Sequence, residues 1–211
     1  MVTLKKYRFY IILSLFLILS SILIQVESQS YTQTDILIIY SSGHPYASIS
    51  DIENPEVDDL TTPTPVKINC ATIAKRLNYL LVEKGLNSRI IKVSDINHWK
   101  EILEAKAVIL GSPTYFWNMS WEMKKLMDEK FGQIYIYRKE KSDFPQFHLF
   151  TLAEIEPSAN QTLEKMRQVL NDCGLEIGQQ MILLTSYKVK DVDWRMVKYI
   201  DEIYKRLENV H

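Results

Sequence analysis

The sequence predicts a three-layer α/β domain, a five-stranded parallel sheet of order 2-1-3-4-5 between helices, preceded by an apolar N-terminal segment. Three observations lead there. Short continuous apolar runs alternate with longer stretches in which apolar residues return every three or four positions, as buried strands alternate with amphipathic helices. Glycines stand just past two of the helical stretches, at Gly85 and Gly174, where a left-handed residue ends a helix. A charge-free run from Phe9 to Ile24 follows Lys5, Lys6 and Arg8, the layout of a secretory signal or a signal anchor.

Residues 1–28 are read as that signal anchor or signal peptide, 29–34 as a polar linker and 35–211 as the folded domain. The apolar run is longer than a usual signal core and slightly shorter than the roughly 20 residues of a spanning helix, and Tyr7 and Val26 extend it. Its apolar residues cover every side of a helix, so it has no polar face to turn to water. The reading adopted is an anchor with the basic N-terminus in the cytoplasm and the domain outside. Cleavage after Ser28, with Val26 three positions back, would instead secrete the domain.

The run Ile36 to Tyr40 is too short for a buried helix and reads as the first strand. Ile73, Leu77, Leu80 and Leu81 then stripe a helix over Ala71 to Glu83. Arg89 to Val93 is the second strand, a short helix covers Asn97 to Ala105, and Ala107 to Leu110 is a third strand stopped by Gly111. Met119, Met123, Leu126, Met127 and Phe131 recur at helical spacing behind an N-cap at Asn118 or Ser120. His148 to Leu152 is the fourth strand, and Pro157 with Ser158 opens a helix carrying Leu163, Met166, Leu170 and Cys173. Met181 to Leu184 is the fifth strand, followed by a helix striped by Val197, Ile200, Tyr204 and Leu207. Right-handed crossovers between such strands give a parallel sheet with helices on both faces. A ligand belongs beyond the carboxyl ends of the first and third strands, where the strand order reverses.

Two insertions interrupt this scheme. Residues 43–65 are Pro-rich and carry Asp51, Glu53, Glu56, Asp58 and Asp59 without a Lys or Arg. Those acids lack the alternating oxygen ligands and glycine of a calcium loop, so a solvated lid or partner-binding loop is the reading. Residues 132–146 mix Tyr135, Tyr137 and Phe144 with Arg138, Lys139 and Lys141, read either as a hairpin at a dimer or membrane surface or as a long connection.

Composition removes several function classes. A net charge of -1 over 211 residues gives no electrostatic footprint for nucleic acid. Cys70 and Cys173 are far apart and outside any Cys-x-x-Cys pattern, which argues against zinc, thioredoxin-type chemistry and iron–sulfur clusters. They read as two buried thiols, a disulfide requiring that the fold bring them together. His44, His98 and His148 sit in no catalytic motif, and no catalytic or metal-ligating residue is assigned.

The chemistry is concentrated where the third strand ends, in Gly111, Ser112, Pro113, Thr114, Tyr115, Phe116, Trp117, Asn118, Met119 and Ser120. This segment resembles the Gly-Ser-Pro-Thr-Tyr-Phe-Gly-Asn-Met-Ser loop of the NADPH-dependent FMN reductases and the tryptophan-repressor-binding-protein-type quinone reductases of the flavodoxin-like superfamily. The order of elements extends the resemblance over most of the chain from Asp35 to Asn209. The resemblance implies that Ser112, Pro113, Thr114, Tyr115, Phe116, Trp117 and Asn118 wrap the FMN isoalloxazine, with backbone amides at its polar edge and aromatic rings beside its face. It also implies a phosphate site in the turn after the first strand, where Ser41, Ser42 and Gly43 begin the turn and Asn69 matches the residue before the helix. Three departures stand out. Trp117 replaces a glycine, and it either turns outward as a new stacking surface or fills the pocket. The acidic insertion separates the two halves of the phosphate turn, and Glu154 and Glu156 follow the fourth strand where the reductases often have a Gly-rich turn.

The expected function is an FMN-binding electron-transfer protein or an FMN-dependent oxidoreductase linked to NAD(P)H or quinone. A quinone or a redox partner protein suits an extracytoplasmic domain better than reduced nicotinamide, which is cytoplasmic. A homo-oligomer is allowed. The alternative is a membrane-tethered flavodoxin-like binding or assembly module without a cofactor.

Overall fold

The computed structural model describes residues 34–41, 68–137 and 144–208. The N-terminal apolar segment, the acidic insertion, Ser42 and Gly43 lie outside the described residues, as do Arg138, Lys139 and Lys141. Among the described residues no helix is long and apolar enough to cross a membrane.

Five parallel strands form the sheet: β1 (Ile36–Tyr40), β2 (Ser88–Lys92), β3 (Ala107–Tyr115), β5 (Gln146–Ala153) and β6 (Ile177–Leu184). A two-residue strand, β4 (Asn118–Met119), folds back antiparallel on the end of β3. The order is β2-β1-β3-β5-β6, the doubly wound topology expected from the alternation of strand and helix. Register is set by side-chain burial on both faces. In β1, Leu37 and Ile39 point into one core, while Ile36 and Ile38 point into the other. All four are fully buried, so a one-residue slip would carry every one of them to the wrong face.

The first core packs β1, β3 and β5 against α2 (Trp121–Leu126), a π-helical turn (Met127–Phe131), α3 (Gly132–Tyr137) and α4 (Glu156–Asp172). The second packs the opposite face against α1 (Cys70–Glu83) and α5 (Val189–Glu208). Cys70 lies in the second core and Cys173 in the first. The sheet runs between these two buried residues, which closes the disulfide alternative.

Four elements differ from the sequence expectation. The third strand does not stop at Gly111 but continues to Tyr115. Gly111 sits inside it because the Phe150 ring of β5 covers its Cα: a Cβ there would lie 1.9 Å from Phe150 Cζ. Residues 132–137 are helix rather than hairpin. Gly132 keeps helical angles of -57° and -39°, and Ile134, three positions after Phe131, is fully buried at the spacing that keeps both on one face. In α5 the buried stripe is Val192, Met196, Tyr199, Ile200 and Ile203, so Tyr204 and Leu207 sit at its margin. Met119, read as the first residue of a helical stripe, belongs to β4, and the helix starts after Ser120.

Helix ends follow the side-chain logic of the sequence. Asn69 caps α1 in a reciprocal box, its Oδ1 accepting from Thr72 N at 2.8 Å while Thr72 Oγ1 accepts from Asn69 N at 3.1 Å. Ser120 caps α2, its Oγ accepting from Met123 N at 3.2 Å. Gly85 and Gly174 adopt φ of 79° and 66° after α1 and α4, the left-handed exit that glycine permits.

Candidate functional site

The switch point of the sheet lies where β1 and β3 end side by side, paired through Tyr40 and Gly111. Beyond it β3 runs on and turns sharply back, with Tyr115 opposite Asn118 and Thr114 opposite Met119. Only Phe116 and Trp117 connect the two strands, with φ of 46° and 65°. A two-residue hairpin of this kind needs positive φ at both positions, and Asn-Gly is its favoured sequence. Here two bulky aromatics occupy left-handed backbone, which costs a residue with a Cβ about 1–2 kcal/mol each. Strain of this kind persists where the surroundings hold it.

The rings are presented to solvent. Phe116 is 98% exposed, Trp117 47% and the neighbouring Trp121 70%, with Tyr115 at the margin of exposure. Trp117 therefore does not fill a pocket among the described residues; its exposed side chain fits the outward alternative. Ile155, in the loop after β5, adds a half-exposed apolar side chain, and Glu154 and Glu156 beside it are exposed. The Tyr115 phenol is raised above its ordinary pKa, chiefly by burial, with Cys70 and Glu122 adding to it. At neutral pH it is an uncharged donor.

A network of hydroxyls lies beneath the turn. Ser120 Oγ donates to Ser41 Oγ at 2.7 Å, and Ser41 Oγ donates to the Gly111 carbonyl at 3.4 Å. Ser112 Oγ accepts from Ser120 N at 2.9 Å and donates to the Pro113 carbonyl at 2.9 Å. Thr151 Oγ1 donates to the Ser112 carbonyl at 2.8 Å, and the Thr114 hydroxyl lies 3.0 Å from those of both Thr151 and Thr162. Ser41, Ser112, Ser120, Thr151 and Thr162 are all buried. Satisfied networks of this kind fix one arrangement of the backbone, because any broken member would leave a polar group without a partner.

Ser112 to Asn118 form one continuous element, with Ser112 and Thr114 holding it from below and Tyr115, Phe116 and Trp117 displayed above. Asn118 accepts from Met119 N at 3.0 Å. Ser41 lies at the same edge, but its hydroxyl is committed to Ser120 and Gly111. The Asn69 side chain is committed to its own helix, leaving the first backbone amides of α1 as donors at that end, with no acidic residue in the first turn. Ser42 and Gly43 lie outside the described residues. Sequence reasoning missed Thr151, Thr162 and Lys165, whose Nζ donates to the Trp117 carbonyl at 2.9 Å. Contacts across 37 to 48 positions leave no local pattern. Two cavities among the described residues, about 380 and 220 Å³, share no residue with this loop.

The comparisons with known proteins agree with this architecture. No protein-family model matches the chain. A flavodoxin of Clostridium saccharobutylicum is 43% identical over 54 residues, covering 23% of this chain and 34% of that flavodoxin. The chain thus matches about a third of the length of that curated relative. Among solved structures, a flavodoxin from Streptococcus pneumonia TIGR4 superimposes with a TM-score of 0.56 at 12% identity, over 81% of this chain and 98% of that one. General stress protein 14 of Treponema denticola, solved in complex with FMN, gives a TM-score of 0.51 at 12% identity, over 84% of this chain and 99% of that one. Strand order, the loop at the switch point and these superpositions together establish that the described residues have the flavodoxin-like fold.

Proposed function

We propose that the chain binds FMN at the Ser112–Asn118 loop and transfers electrons through it. The observation that carries this reading is the displayed aromatic turn, a pair of exposed rings in strained backbone at the one place where a doubly wound sheet receives a ligand. Exposed rings on a rigid support suit a large planar heterocycle, which favours offset stacking. FMN, when bound, supplies the hydride and single-electron chemistry. The residues of the chain bind and orient it. Tyr115, Phe116 and Trp117 offer ring faces, the backbone between Pro113 and Asn118 offers donors and acceptors at fixed positions, and the N-terminus of α1 offers amides and the positive end of its dipole to a phosphate. Ser41 and Asn69 act in this reading by shaping the two ends of the phosphate turn, since their polar atoms are already engaged.

The Gly111–Ser120 segment favours the quinone-reductase branch of the flavodoxin-like proteins over the small electron carriers, and an NAD(P)H- or quinone-linked oxidoreductase is the activity proposed. The charge-free run Phe9–Ile24 behind Lys5, Lys6 and Arg8 supports a membrane anchor with the domain outside the cytoplasm. There a quinone or a redox protein is the natural electron partner. A second reading, a tethered binding module without flavin, is favoured by the internal commitment of the Ser41 and Asn69 side chains. Titrating the full chain, purified in mild detergent, with FMN separates them. Saturable quenching of flavin fluorescence with a dissociation constant of about 1 µM or below supports the flavin reading. No binding at about 100 µM sinks it.

A further inference from the structure

The Phe116–Trp117 turn needs an external restraint, because neither residue favours the left-handed backbone it adopts. Helix α4 supplies one. Thr162 and Lys165 are three residues apart and so share a helix face. Thr162 Oγ1 lies 3.0 Å from Thr114 Oγ1, just before the turn, and Lys165 Nζ donates to the carbonyl of Trp117 at 2.9 Å, at its far end. The helix is a firm base: Leu163, Met166 and Leu170 on the same segment are buried in the core. The Lys165 bond to the turn lies at the exposed surface, and as a charged donor to a carbonyl it is stronger than a neutral one.

We propose that Lys165 is a positioning residue for the flavin loop, a cationic latch that holds the Trp117 carbonyl and with it the aromatic turn in the displayed conformation. The proposal rests on the FMN reading above for its functional half. Its structural half stands on the contact alone. Lys165 acts through the backbone of the turn, so it sets how well the loop is preformed before any ligand arrives. Preforming a loop raises affinity by removing the ordering cost from the binding step.

Two readouts on the full chain test it. Hydrogen exchange of the amides between Thr114 and Ser120, measured without flavin, is expected to speed up about 10-fold in Lys165→Met and to return toward the parent rate in Lys165→Arg. Exchange in β1 and β5 is expected to stay unchanged, which distinguishes a local latch from general destabilisation. The FMN dissociation constant is expected to rise about 5-fold in Lys165→Met and to recover in Lys165→Arg. Unchanged loop exchange in Lys165→Met overturns the latch. Faster loop exchange with unaltered FMN affinity overturns its role toward the cofactor. Faster loop exchange in a chain that binds no FMN in either form upholds the latch and overturns the flavin reading.

Discussion

Phe116 is almost wholly exposed, contributes nothing to the core, and sits in backbone that disfavours it. A chain selected for stability alone would place Asn-Gly there. Replacing the pair, Phe116→Asn with Trp117→Gly, should therefore stabilise the protein by about 1 kcal/mol, the relief of two left-handed residues less the half-burial lost at Trp117. The same double variant should weaken FMN at least about 10-fold through loss of both rings. Urea unfolding and a flavin titration check the two halves, and a variant that is destabilised and binds FMN unchanged would refute both. His148 gives a residue-scale prediction of another kind. It is fully buried, its Nδ1 accepts from Gln179 N at 2.9 Å, its ring meets Tyr199 edge-on, and burial, reinforced by Arg206, lowers its pKa to about 3. The unfolded chain takes up that proton near the ordinary value of about 6.5, so between those limits the unfolded state binds more protons. This part of the stability is complete above about 6.5 and is lost as pH falls toward 3, with a slope of up to about 1.4 kcal/mol per pH unit. His148→Asn, which keeps an acceptor for Gln179 N, should flatten that slope in pH-dependent denaturation. The sequence exposed the Trp117-for-Gly departure plainly. It gave no hint that Lys165, 48 positions away, would hold the carbonyl of that residue.

Among the elements, β3 shows where local reading and tertiary packing part. Gly111 and Pro113 look like terminators, and by propensity alone they are. The strand nevertheless runs through both, because Phe150 of β5 packs across Gly111 and the ladder to β5 continues as far as Pro113 paired with Leu152. A glycine in a strand interior marks this kind of close approach. Gly111→Ala should cost about 3 kcal/mol in urea unfolding, since its Cβ would enter the Phe150 ring and a buried ring has little room to retreat. Adding Phe150→Leu should return part of that loss, a coupling that a double-mutant cycle measures. The same logic explains the helical run from Trp121 to Tyr137. Its buried residues Met123, Leu126, Met127, Phe131 and Ile134 were visible as a stripe up to Phe131, while Gly132 hid the last turn. The π-helical turn between α2 and α3 left no readable signal in the periodicity. Thr151→Val removes the donor to the Ser112 carbonyl and should cost about 1–2 kcal/mol. Loop exchange should rise with it if the hydroxyl network and the latch act on one element.

At the scale of the whole molecule, the alternation of buried strands with amphipathic helices was enough to specify the sheet order, because right-handed crossovers leave few other topologies. β1, with both faces fully buried, reads as an apolar run for that reason. The site was legible only in part. Ser112 to Asn118 emerged as one element, whereas the polar atoms of Ser41 and Asn69 proved to be engaged in packing and capping. A sequence shows that such residues can donate and accept, and only the fold shows to whom. The N-terminal run adds a prediction of its own: after cell fractionation the full chain should stay with the membrane pellet under alkaline carbonate, and a chain lacking residues 1–28 should not. The central claim, that a flavin binds on the displayed turn of a flavodoxin-like fold, meets its most direct test in amide NMR of the isotope-labelled chain as FMN is added. The account expects saturable shifts concentrated at the amides of Ser112 to Asn118 and at the first turn of α1. Shifts absent at about 100 µM FMN, or concentrated elsewhere, would contradict it.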